Sequence, residues 1–237
     1  MIHIFDNIYT VLYNLVIIIA GIAAWFYYRK YKHSMMRYFI YLLFYIALFT
    51  FLMKYTYSVR YNGVLSFLDT TIFRQNYWLG TLHWDIGAML FYSWFFSKFI
   101  KNRRYKKIIR LLSFSFLVFA TFSIVIQFEK FFKSNLMEIT IAGNLLLIIS
   151  ISLYFVEILQ LDKLLVFYKT YIFYIACIVI LWLLITMPLG FYDHYYNLKD
   201  PAYIKLRKMI YFYVNLFMYL GFALVLIFGK PEKGINE

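Results

Sequence analysis

Two ionisable side chains stand inside an otherwise apolar and aromatic stretch of this chain. His83 and Asp85 occur in WLGTLHWDIGAMLFYSWFFSKFI, residues 78–100, a run long enough to cross a bilayer. Asp85 lies about seven residues into such a helix, or about 10 Å along its axis. A charge at that depth is costly, so it must face the bundle interior, take up a proton or find a partner. Two readings of Asp85 stand. It is the floor of a polar pocket open to the outside, where it binds a ligand or a proton. Or it makes a hydrogen bond between helices, to a Tyr, Asn or Lys. His83 is two residues away and points to a different helix face, so the pair is no catalytic couple. Lys54, near the outer end of the preceding apolar stretch, is the expected partner of Asp85.

Four further residues qualify by type. Glu157, in SLYFVEILQLDK, lies near the cytoplasmic end of its helix and is expected to snorkel or to pair with a nearby Lys. Asn144 and Asn215 are amides within apolar runs, expected to tie helices together. His194, in the Tyr-rich segment GFYDHYYNLKD, is a candidate pH sensor, with an ordinary interfacial histidine as the alternative.

Several reaction classes fail on the residues present. A retinal Schiff base needs a lysine halfway along the last helix, and none occurs between Lys208 and Lys230. The four histidines are scattered, and no H-E-x-x-H, G-x-S-x-G or paired-aspartate pattern is present. No catalytic residue, metal ligand set or cofactor is assigned. Cys177, the single cysteine, lies in an apolar run and reads as a packing residue.

These residues must be held by an apolar scaffold. The 237 residues are 64% hydrophobic and 24% aromatic, more than a soluble domain of this length could hide. The expectation is an all-α, polytopic membrane bundle forming one domain over residues 1–237. Seven stretches qualify as spans: about 8–28, 36–57, 78–100, 108–128, 136–159, 165–189 and 201–228. The first lacks the basic leader of a cleaved signal peptide and is expected to remain as a helix. The formal charge is +13, but the basic residues fall in short hinges such as RKYKHSMMR and KNRRYKK, which excludes a continuous nucleic-acid face. With the amino terminus outside, 15 of the 24 Lys and Arg lie on the inner side and 7 of the 11 acids outside or near that side. That places the carboxyl terminus in the cytoplasm.

Two longer outer connections remain. SVRYNGVLSFLDTTIFRQNY is expected to hold a short interfacial helix, and Asp200–Pro201 to start the last helix as N-cap and first helical residue. Small residues suited to close helix contact are Ala20, Gly21, Ala24, Gly87, Ala88, Ala142, Gly143, Gly221 and Ala223.

From Ile149 to Phe228 the pattern is more particular. SLYFVEILQ is followed by an aromatic helix ending ITMPLGFY, a polar outer loop and IYFYVNLFMYLGFALVLIFG. This resembles a group of uncharacterised seven-helix membrane proteins of Bacteroidota-type bacteria, whose genes often neighbour those of sensor histidine kinases or response regulators. The likeness is clearest over this last third and is one of layout elsewhere. It implies a bacterial inner-membrane protein that senses or relays a signal through a separate histidine kinase or response regulator. A small transporter or channel with a polar path at Asp85, and a lipid-modifying enzyme, are the alternatives. Whether the chain forms a homo-oligomer stays open.

Overall fold

The computed structural model describes residues 2–60, 63–160, 170–195 and 201–229, apart from the side chains of 2–11, 13, 191–195 and 201. The described residues are helical, with no strand. The helices are α1 (Ile2–Tyr31), α2 (Met36–Leu52), the short α3 (Tyr55–Arg60) and α4 (77–99). Then follow α5 (Arg103–Ile126), the short α6 (Phe128–Lys133), α7 (Met137–Gln160), α8 (Tyr171–Tyr195) and α9 (Pro201–Phe228). Five segments are long and apolar enough to cross a membrane: Met36–Arg60, Arg103–Ile126, Met137–Gln160, Tyr171–Gly190 and Ala202–Phe228. Large apolar side chains stand fully outward on these helices, among them Phe51, Phe114, Phe122, Val125 and Phe228. A water-soluble fold would bury such surface, whereas lipid accepts it. The molecule is a helical integral membrane protein.

The chain forms two compact units, residues 1–47 with 163–237 and residues 48–162. The boundary falls inside α2.

In the first unit α1 packs on α9, and α9 on α8. The carboxyl ends of α1 and α9 are joined by polar contacts. The Tyr31 hydroxyl faces the carbonyls of Leu226 (3.1 Å) and Gly229 (2.6 Å), and Lys30 Nζ donates to that of Ile227 (3.1 Å). These carbonyls lack partners within their own helix, and a cation there also suits the helix dipole. Since both helices end together, they run parallel. Phe39 packs edge-on against Phe222, with centroids 4.9 Å apart. Between α8 and α9, Trp182 Nε1 donates to Asn215 Oδ1 at 2.9 Å. This hydrogen bond joins α8 to α9 through Asn215.

In the second unit α4 and α7 lie side by side, with α5 packed on both. α5 divides cleanly: Ile109, Phe116, Ala120 and Ser123 face inward, and Leu111, Phe114, Val118, Phe122 and Val125 face outward. A spacing of three and four residues puts each set on one stripe. The α4–α5 hinge is held by Asn102, whose side chain accepts from the Arg104 amide at 2.8 Å and caps α5.

Three local details refine the sequence reading. The second apolar stretch lies within the span Met36–Arg60 and turns at Met53–Lys54 before α3. The outer connection, expected to hold a short interfacial helix, holds two short 3₁₀ helices, Ser66–Thr70 and Ile72–Arg74. The fourth stretch ends at Ile126, and the chain turns at Gln127 into α6.

Candidate functional site

α4 is continuous but not uniform. Residues Tyr77–Gly80 and Met89–Phe99 are α-helical, and Thr81–Ala88 between them wind as π-helix. The flanking residues Gly80, Ala88 and Met89 keep right-handed helical torsions, so the helix widens without breaking. In a π segment the amide of residue i bonds to a carbonyl five residues back, and such segments occur frequently at functional sites. His83 and Asp85 both lie inside it.

They face different neighbours, as their spacing predicts. The His83 ring stacks flat on Phe49 of α2, with centroids 4.2 Å apart and planes 5° from parallel. Asp85 faces α7 beside Thr140, whose hydroxyl donates to the Leu136 carbonyl of its own helix at 3.4 Å. Only 9% of Asp85 is exposed. Close approach of the two helices here depends on Gly143. A Cβ at that position would stand 2.8 Å from the Asp85 carbonyl oxygen, 3.0 Å from Met89 Cγ and 3.2 Å from Phe116 Cζ.

Lys54 does not neutralise Asp85. The ion pairs among the described residues are Arg74–Asp69 at 3.0 Å and Lys133–Glu129 at 3.2 Å, both exposed. Asp85 is therefore a buried carboxyl whose described polar neighbour is a neutral hydroxyl.

More buried polar atoms lie along these two helices. Thr81 precedes Asp85 by four residues, which places both on one side of α4. Thr140 and Asn144 are likewise four apart on α7 and flank Gly143. Thr81 Oγ1 and Asn144 Oδ1 are buried without a hydrogen-bond partner among the described residues. Tyr92 OH and Ser93 Oγ, further along α4, are in the same condition. Such groups are rare, because each forfeits hydration with nothing in return. Asn144, expected to tie helices, has no partner for its carbonyl oxygen.

The register between α4 and α7 places these groups. Asp85 meets Gly143, Phe96 meets Tyr154 with centroids 6.0 Å apart, and the Lys101 amide meets Glu157. Both helices therefore run the same way with a nearly constant offset. That offset sets Thr81 level with Thr140, and Tyr92 and Ser93 level with Ser150. Ser150 bonds within its own helix, to the Leu146 carbonyl at 2.8 Å.

Glu157 closes the other end of the pair. Its carboxylate accepts from the backbone amides of Lys101 and, at 3.1 Å, of Asn102. Among the described residues its carboxylate meets these backbone amides and no lysine side chain. It holds the hinge at the amino terminus of α5, where unsatisfied N–H groups and the helix dipole favour an anion.

His194 falls in the last turn of α8, and its side chain is outside the described residues. No group of three or more His, Cys, Asp or Glu suited to a metal occurs among the described residues. Sequence reasoning missed Thr81, Thr140, Tyr92 and Ser93. The available signal was spacing: a Thr four residues before Asp85, and another four before Asn144. Compared with known proteins, the chain matches no family model, no curated protein and no solved structure.

Proposed function

We propose that this protein is a seven-helix sensor or signalling accessory of a bacterial inner membrane, with Asp85 as its responsive group. The observation that carries this reading is a buried carboxyl set in a π-helical segment, beside a neutral hydroxyl and no counter-charge among the described residues. Such a group changes its charge or its partner when a proton or ligand arrives. Because α7 rests on the backbone at Asp85, a change there alters helix packing, and Glu157 ties α7 to the basic hinge at residues 101–102. A stimulus shifts such an equilibrium only through its different affinity for the two packings. The hinge, rich in Lys and Arg, would face the cytoplasm and engage a separate acidic partner such as a histidine kinase or response regulator.

Seven spans, an outer amino terminus and a cytoplasmic carboxyl terminus belong to the same proposal. The two helices beyond the five are α1 and α4, and at 1.5 Å per residue each is roughly 30 Å or longer. The asymmetry of Lys and Arg supports the orientation. Reporter tags on both ends test it: the proposal requires opposite compartments, and tags in one compartment overturn it. Affinity purification after mild solubilisation tests the output. Repeated recovery of a kinase or regulator supports the sensor, and repeated recovery of none argues against it.

A second reading, transport, is favoured by one observation. The buried hydroxyls of Tyr92 and Ser93 continue the polar strip from Asp85 along α4. Flux into proteoliposomes that Asp85→Asn abolishes would establish it over the sensor.

A further inference from the structure

The oxygens that the register of α4 and α7 sets near the level of Asp85 have a composition of their own. Asp85 supplies a carboxylate, Thr81 and Thr140 supply hydroxyls, and Asn144 supplies an amide carbonyl. Thr81 is fully buried and Asn144 is 6% exposed, and the oxygens of both lack described partners. Each is within about one helical turn of Asp85 by the register set out above. No nitrogen or sulfur ligand joins them: His83 is turned away onto Phe49. Gly143, between Thr140 and Asn144, lets the α4 backbone at Asp85 pack closely against α7, which brings the facing polar residues of the two helices together.

The surrounding charges do not balance Asp85. On α4 the other titratable groups are Tyr77, His83, Tyr92 and, at the far end over the Trp94 ring, Lys98. On α7 they are Glu138, held by Gln127, Tyr154, beside the Phe96 ring, and Glu157, held by the amides of Lys101 and Asn102. The inward face of α5 carries none, and Lys54 beyond α2 forms no ion pair with Asp85 among the described residues. A buried carboxylate in this setting requires one positive charge. A proton provides it, but leaves Thr81 and Asn144 unsatisfied.

We propose that Thr81, Asp85, Thr140 and Asn144 form a binding site for one dehydrated monovalent cation of sodium size. Hard cations take oxygen ligands, and a single carboxylate with neutral oxygens matches a single charge. A divalent ion would remain half-compensated there. The cation bridges α4 and α7 and competes with a proton for the same carboxylate. This rests on the reading of Asp85 as the responsive group, and it names the stimulus.

Thermal unfolding of the purified full chain in detergent tests it, with NaCl, KCl or choline chloride added at constant ionic strength and two pH values. Binding to the folded state alone raises the melting temperature with ligand concentration. The expected result is a saturable rise with Na⁺ that choline does not reproduce, that needs more Na⁺ at the lower pH, and that Asp85→Asn eliminates. Asn144→Leu and Thr140→Val keep the carboxylate and should each raise the half-saturating Na⁺ concentration about tenfold. A melting temperature that depends on pH through Asp85 but not on the cation overturns the sodium site and leaves the sensor reading intact. Dependence on neither overturns both. Equal responses to all three salts are screening and also overturn the site.

Discussion

Asn215 and Asn144 are the same side chain in two different situations. In the unit built from both ends of the chain, Asn215 accepts from Trp182 and its interface is satisfied. In the central unit, Asn144 is buried beside Gly143 with its carbonyl oxygen unpartnered among the described residues. The two buried carboxylates of the central unit repeat the contrast. Glu157 accepts from two backbone amides at a helix start, whereas Asp85 faces a threonine hydroxyl. A satisfied buried polar group fixes helices in place. An unsatisfied one holds interaction energy in reserve for something that arrives later. By this criterion Asn215 and Glu157 hold helices together, and Asp85 and Asn144 are the groups we propose to be functional.

Substitutions should separate the two classes. The largest effect is expected from Gly143→Val. Its Cβ meets a backbone oxygen, which cannot rotate away, so the α4–α7 contact must open at a cost of about 3 kcal/mol. Denaturation in mixed micelles would measure it, and Gly21→Val is the control, since nothing lies within 4 Å of a Cβ there. Glu157→Ala comes next, at about 2 kcal/mol, because it leaves two amides at the hinge unsatisfied. Proteolysis should then cut at the 101–104 hinge faster than in the parent. Asn215→Leu should cost about 1 kcal/mol, and a double-mutant cycle with Trp182→Phe should assign most of that to the pair. Asp85→Asn, measured without sodium, should change stability by less than about 1 kcal/mol. A large loss there would place Asp85 among the structural groups and erase the contrast.

The helices were legible because hydropathy is a cumulative signal, and 20 apolar residues leave few alternatives. Asp85 and His83 stood out for the same reason, as charges where charges are scarce. Their divergence followed from a spacing of two. What escaped was every feature set by a distant segment. Nothing near Lys54 in the sequence announces the turn that ends α2, since MKYTY continues a run of helix-compatible residues. Glu157 looked like a snorkelling side chain because its partners are backbone amides, and backbone amides carry no residue code. The π segment was invisible for a related reason: an extra residue per turn does not alter composition. Thr81 and Thr140 were passed over because threonine is common in membrane helices, and only contact with a buried carboxyl gives it meaning.

Infrared difference spectroscopy on the carboxyl C=O stretch tests the central claim most directly. Spectra of the reconstituted protein would be recorded on switching pH and on switching sodium for choline. The account predicts one buried-carboxyl band that changes under these switches and disappears in Asp85→Asn, while Glu157→Gln leaves it in place. A band that never changes, or one that survives Asp85→Asn, would contradict it.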